Sequence, residues 1–297
     1  MTRDPKSNEY AIVSQFMNGG SLRDLIKKKH NILTWKAIIE VLEVISLGLN
    51  SIHKSEYYHR DLHSGNILNR VNYNVITSVI SDFGFCCPAD LNSTETSLFG
   101  VLPFVAPEIL RGGEFTEAAD IYGFGMLMSE VISGEIPFFD REFDFHLALD
   151  VCKGIRPQIP EYAPEPYVRL MKSCWDPIPN NRPTAWEILQ HFSGWNKIIS
   201  GSLDDAYNKD KLLVIKQEIE ETFSQEREKK WKARLIKLAT NSQPLKESQN
   251  LLTSKRLDYS KQLSQQLNTE DDEIKVDDDD DGTLFYLNVK FRVIEYI

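Results

Sequence analysis

The sequence predicts a mainly α fold with short β-hairpins and one strand near the N-terminus. Three observations carry that expectation. Apolar residues recur every three or four positions across Trp35–His53, and the chain from Asp120 onward keeps a largely helical pattern. Extended apolar runs are short, at Tyr10–Met17 and Val71–Ile80, with a further alternating stretch at the C-terminal end.

Tyr10–Met17 (YAIVSQFM) is rich enough in Ile, Val and aromatic residues to form a strand, which Asn18-Gly19-Gly20 then breaks. Ser21 can cap a helix beginning at Leu22, because its hydroxyl can accept from a free backbone N–H of the first turn. Within Trp35–His53 the residues Ile38, Ile39, Leu42, Ile45, Leu49 and Ile52 form one stripe, and Val41 and Leu47 broaden it. That helix should be mostly buried. Val71–Ile80 reads as two strands around the turn-like Asn72-Tyr73-Asn74, and Gly134, Pro137, Pro157, Pro160 and Pro164 punctuate the helical region.

Near Ser200 the chain changes from dense apolar runs to charged helix formers. Asp210–Leu238 is an amphipathic pattern: Leu212, Ile215, Ile219 and Phe223 share a face, which Trp231, Leu235 and Leu238 resume beyond the charged Glu226–Lys230. It is expected to pack on the preceding domain or to stay solvated. The acidic run over Glu270–Asp281 suits a disordered, solvated segment, and Thr283–Ile297 alternates as a strand would. The expected division is therefore 1–20 (strand and following turn), 21–199 (main helical domain), 200–268 (charged helical tail), 269–282 (acidic segment) and 283–297 (strand-like end).

A length of 297 residues allows one large domain, or one of about 200 residues with a tail. The 41% apolar content is ordinary for a protein with a packed core. A net charge of −10 argues against nucleic-acid binding and against an anionic membrane surface. No apolar leader follows Met1, and no run of about 18 apolar residues occurs, so no membrane insertion is expected. Cys86, Cys87, Cys152 and Cys174 show no C-x-x-C spacing. That argues against a metal site or disulfide framework and fits the cytoplasm, with the nucleus as the other option.

The chemistry concentrates in three short segments. His59-Arg60-Asp61-Leu62-His63-Ser64-Gly65-Asn66 is followed by Asp82-Phe83-Gly84 and then by Ala106-Pro107-Glu108. A lone aspartate of this kind is usually an ordinary turn residue; all three segments in order reverse those odds. Together they resemble the H-R-D-x-x-x-x-N, D-F-G and A-P-E series of protein kinases, over about residues 5–195. The tyrosine-kinase-like group is the best match. Cys174-Trp175-Asp176 and Asn181-Arg182-Pro183 add to it.

The resemblance implies a kinase C-lobe with its short hairpins around the catalytic loop, preceded by the hinge and last strand of the small lobe. It implies ATP and Mg²⁺ as cofactors and a protein as substrate. Asp61 would orient the substrate hydroxyl and take its proton, with Arg60 and His63 beside it, and Asn66 and Asp82 would offer Mg²⁺ hard oxygen ligands. Asp120 would brace the loop backbone, Glu108 would pair with Arg182, and His59 and Phe83 would support the site. Ser14 aligns as gatekeeper, Gln15 and Met17 would face adenine, and Leu68 would lie beneath it, unless Leu68 is simply core. Ser93, Thr94, Thr96 and Ser97 fall in the activation segment, either as phosphorylation sites that Arg60 could pair with or as an unregulated loop.

The sequence also departs from the family. No G-x-G-x-x-G occurs within it, since Gly123 and Gly125 sit in a helical segment. No strand lysine of the V-A-I-K kind is present, and Val214-Ile215-Lys216 lies far downstream. These groups hold the phosphates and the lobe that carries them excludes water. The expectation is a chain that is weak or inactive alone, either cut from a longer kinase or a short form with a binding role, leaving the small-lobe-facing surface open to a protein partner. His63 and Val101 replace the Lys and Thr usual in Ser/Thr kinases, and the tyrosine-kinase loop signatures are absent as well. The tyrosine-kinase-like group mostly modifies Ser/Thr; Tyr stays open.

Overall fold

The computed structural model describes residues 2–3, 10–11, 14–73, 75–89, 98–202, 209–240 and 253–273. In chain order the described elements are β1 (Thr2–Arg3), β2 (Tyr10–Ala11), β3 (Gly20–Ser21), α1 (Leu22–Lys28), α2 (Trp35–Lys54), β4 (Tyr57–Tyr58), β5 (Ile67–Asn72), β6 (Val75–Ile80), β7 (Cys87–Pro88) and β8 (Leu98–Gly100). They continue with α3 (Pro107–Leu110), α4 (Glu117–Ser133), α5 (Phe145–Cys152), α6 (Glu165–Cys174), α7 (Ala185–Ile199), α8 (Lys209–Thr222), α9 (Gln225–Thr240), β9 (Lys255–Leu257) and α10 (Ser260–Glu273). The result is a mostly helical body with small antiparallel sheets, pairing β1–β2, β3–β5–β6, β4–β7 and β8–β9.

Ser21 closes the N-terminus of α1 with a capping box: its hydroxyl accepts from the Asp24 N–H, and the Asp24 carboxylate accepts from the Ser21 N–H. Thr34 caps α2 by accepting from the Ala37 N–H. One face of α2, through Ile38, Ile39, Val41, Leu42, Ile45 and Leu49, is fully buried against α7 and the β5–β6 hairpin. Each such side chain stabilises the fold by about 1.5–3 kcal/mol through burial. The stripe is narrower than its sequence suggests, because Leu47 is half exposed and Val44 is exposed too. They lie round the helix from the packed face.

Of the strand expected across Tyr10–Met17, the described residues show β2, where Thr2↔Ala11 and Arg3↔Tyr10 are paired; residues 12–13 lie outside the described residues. Ser14–Met17 are irregular. A strand needs a ladder partner for its backbone groups, and among the described residues none pairs with Ser14–Met17. The hairpin is longer than expected instead: β5 begins at Ile67, so that Ile67↔Ile80 through Asn72↔Val75 are in register.

α4 runs through the centre, and every residue from Ala119 to Ile132 is buried. It ends at Gly134, whose φ of 80° lets it close the helix in a left-handed cap. The single helix expected over Asp210–Leu238 is two helices, parted at Phe223-Ser224. Both pack on the main body. Trp231 is fully buried and stacks on Trp35 at 4.7 Å with rings 5° apart, while Phe223 meets Trp35 edge-on at 5.8 Å. Glu228 accepts from the Trp35 N–H at 2.7 Å, so the tail also satisfies an orphan donor at the start of α2. α10 reaches Glu273, into the acidic stretch expected to be unstructured, while 274–297 lie outside the described residues.

Candidate active site

The His59–Asn66 loop hangs on one carboxylate. Asp120, in the first turn of α4 and buried, accepts from the His59 N–H at 2.8 Å, the Arg60 N–H at 2.9 Å and His53 Nε2 at 3.0 Å. Arg60 has a φ of 71°, a conformation that costs a non-glycine residue on the order of 1 kcal/mol or more. Those bonds hold it there. Gly123, one helical turn along α4, lets the loop approach: a Cβ there would meet the Leu62 carbonyl oxygen at 3.0 Å.

His59 sits between two backbone groups, with Nε2 3.0 Å from the Ser81 carbonyl and Nδ1 accepting from the Asp61 N–H at 3.3 Å. The carbonyl requires a proton on Nε2, which fixes the tautomer. Its ring also meets Phe83 at 5.5 Å. His63 is ordered in the same way. Its Nδ1 accepts from the Gly65 N–H at 3.1 Å, leaving Nε2–H to face Asp61 Oδ2 at 3.5 Å.

Asp61 is 5% exposed. Its Oδ2 accepts from Asn66 Nδ2 at 3.1 Å and from the hydroxyl of Ser254 at 2.6 Å. Burial by itself raises the Asp61 pKa, but the hydrogen bond and electrostatic attraction of the His63 Nε2–H, joined by Ser254 and Asn66, outweigh it and hold the carboxyl below its ordinary value. The group is therefore a carboxylate at neutral pH.

Asn66 spends its side-chain nitrogen on Asp61, donating to the carbonyl at 2.9 Å as well as to the carboxylate. Its backbone carbonyl accepts from both the N–H and the hydroxyl of Ser81, each at 2.8 Å. Ser81 precedes Asp82, so the hairpin register brings the second carboxylate to the same end as Asn66. Asp82 is exposed, has a φ of 61°, and accepts from the Gly84 N–H at 3.3 Å through one oxygen. Asn66 Oδ1 and the other Asp82 oxygen are hard donors with no hydrogen bond among the described residues. Two such oxygens suit Mg²⁺, which takes one or two protein ligands and completes its shell with phosphates and water. Among the described residues no cluster of three or more His, Cys, Asp or Glu is placed to hold a metal by itself.

Arg182, whose side chain is fully buried, grips Glu108 with two hydrogen bonds of 2.6 and 2.8 Å and also donates to the Ala118 carbonyl at 2.8 Å. This fork joins the Ala106-Pro107-Glu108 segment to the start of α4. Of the residues expected near adenine, Met17 and Leu68 are half-buried and Gln15 is exposed. The turn after Met17 is pinned along β5, since the Gly19 N–H donates to the Asn69 carbonyl at 2.8 Å and Leu68 is paired with both Ser21 and Val79. Ser14 is exposed. Ser93, Thr94, Thr96 and Ser97 lie outside the described residues.

Three participants had no place in the sequence reading. His53 shares Asp120 with the loop, Ser81 carries Asn66, and Ser254 reaches Asp61 from 193 residues away. The first lies on the apolar-periodic α2 and could have been suspected there. Nothing in the sequence marks the third.

The loop and the hairpin thus bring two carboxylates, Asp61 and Asp82, and the Asn66 amide to one region of the molecule. The family model for protein tyrosine and serine/threonine kinases matches residues 2–192. The chain belongs to that family. It is 37% identical over 186 residues to a protein of Acanthamoeba polyphaga mimivirus named as a serine/threonine-protein kinase/receptor, covering 62% of this chain and 11% of that one. A Dictyostelium discoideum protein named as a serine/threonine-protein kinase is 34% identical over 61% of this chain and 10% of its own. Mitogen-activated protein kinase kinase kinase 13-B of Xenopus laevis is 30% identical over 67% of this chain and 20% of its own. The chain thus spans only a tenth to a fifth of the length of these relatives. Among the described residues no helix is long and apolar enough to cross a membrane.

Proposed function

We propose that this chain transfers the γ-phosphoryl group of ATP to a serine or threonine hydroxyl of a protein. The observation that carries this reading is the buried Asp61 carboxylate, ionised, held by Asn66 and His63, and already accepting a hydrogen bond from a serine hydroxyl at 2.6 Å. In this role Asp61 aligns the acceptor hydroxyl and takes its proton, and His63 keeps the carboxylate oriented. Asn66 and Asp82 would hold Mg²⁺, whose charge offsets that of the phosphates when it is bound. Glu108 and Arg182 fix the segment that lies under the acceptor peptide. The hinge-side wall for adenine falls to Gln15, Met17 and Leu68.

Within these 297 residues nothing supplies the glycine loop or strand lysine, so turnover by this chain alone is expected to be slow. A second reading has an observation of its own. Phe16 is 84% exposed, and Val75, Val79 and Phe83 are also open to solvent, which suits a non-catalytic module that binds a protein through exposed apolar residues. Titration with Mg²⁺–ATP separates the two. Calorimetry should detect binding to the intact chain and lose it in Asp82→Ala. Binding unchanged in that variant, or no binding to the intact chain, would favour the interaction module.

A further inference from the structure

Residues beyond the family-matched region return to the active site. β9 pairs antiparallel with β8, in the register Leu98↔Leu257, Phe99↔Arg256 and Gly100↔Lys255. This is strand addition onto the edge of the segment that follows the Asp-Phe-Gly motif. The addition is anchored on both sides of Ser260. Leu257 is buried, Tyr259 meets Phe145 at 6.1 Å, and Leu263 of α10 is fully buried. Ser260 itself rests against Gly112, where an added Cβ would come within 3.3 Å.

The consequence is local to one atom pair. Ser254, the residue before β9, donates its hydroxyl to Asp61 Oδ2 at 2.6 Å, the length of a charge-assisted bond. A small cavity of about 20 Å³, roughly one water, lies among Arg60, Asp61, Leu98, Val101 and Phe104. An extended segment running along the segment's edge, with a hydroxyl on the presumptive base, is what an acceptor peptide would look like.

We infer that residues 254–257 occupy the acceptor-peptide site of their own chain and that Ser254 is a phosphoacceptor. The inference rests on the kinase reading above and names its first substrate. In the step, Ser254 Oγ attacks the γ-phosphorus of a bound nucleoside triphosphate and an Oγ–P bond forms. The bond from that phosphorus to the β,γ-bridging oxygen breaks, the diphosphate leaves with the electron pair, and the Oγ proton passes to Asp61 Oδ2. Tethering makes the step unimolecular, which favours it over capture of a free peptide even at a slow site. It also makes the segment a competitor of any other substrate. The product carries a dianion where Asp61 is buried, and like-charge repulsion would drive the segment out of the site.

Two readouts on the full chain test this. Amide hydrogen exchange should show residues 98–100 and 255–257 protected, with protection lost in Leu257→Asp and kept in Ser254→Ala. With Mg²⁺–ATP, mass spectrometry should place phosphate on Ser254 at a rate independent of chain concentration. That rate should fall at least about tenfold in Leu257→Asp, and Ser254→Ala should take up none there. Equal exchange in the intact chain and Leu257→Asp would overturn the docking. Phosphorylation of an added serine peptide without any at Ser254 would overturn the acceptor assignment and leave the kinase reading standing. Phosphate on neither would remove both.

Discussion

From His59 to Asn66 every residue except Arg60 and Gly65 is buried, whereas Asp82 to Phe85 are all exposed. The loop takes its shape from α4 and α2: two of its N–H groups end on Asp120, and its two imidazoles are each fixed by backbone partners. The Asp82 segment has the β5–β6 hairpin behind it and two short-range bonds of its own, from the Gly84 N–H to the Asp82 carboxylate and from the Cys86 N–H to the Phe83 carbonyl. The half of the site proposed to handle the acceptor hydroxyl is therefore part of the helical core. The half that would meet metal and nucleotide is carried on its surface, with Phe83 half exposed beside it.

Substitutions on the two sides should therefore differ in kind. The largest effect is expected from Glu108→Ala, which strands the fully buried Arg182 guanidinium; the cost should be about 3–5 kcal/mol, read from urea unfolding. Asp120→Ala should cost about 3 kcal/mol, since three donors lose their acceptor, and exchange at His59 and Arg60 should quicken. Acid should act through Asp61. Its folded pKa lies below the ordinary 3.8, so the native state binds fewer protons. The stability it contributes is complete above pH 3.8 and is lost as pH falls below that value. Asp61→Asn should flatten that part of the acid limb in a comparison of unfolding midpoints. The smallest effect belongs to Asp82→Ala, within about 0.5 kcal/mol, because little of the fold leans on it. A loss of several kcal/mol there would erase the contrast.

The family was legible in the His59–Asn66 loop because its pattern is local: Asp61 and Asn66 are five residues apart, and the three motifs follow one another in order. The α2 face was legible for the same reason, through its period. Leu47 misled because apolar content alone does not place a residue on the packed side of a helix. Ser14–Met17 misled because strand propensity does not supply a partner strand. The break at Phe223-Ser224 and the Trp35–Trp231 stack depend on where the tail lands, and no local pattern encodes that. Ser254 is the extreme case, an ordinary polar residue brought to Asp61 only by a strand pairing across more than 150 residues.

Transfer of labelled γ-phosphate to a serine peptide, compared between the intact chain and Asp61→Asn, tests the central claim most directly. The substitution keeps size and polarity and removes only the base. The account predicts transfer lowered by about 10²–10⁴-fold with an unchanged circular-dichroism spectrum. Equal rates in the two proteins would remove Asp61 from the chemistry and contradict it.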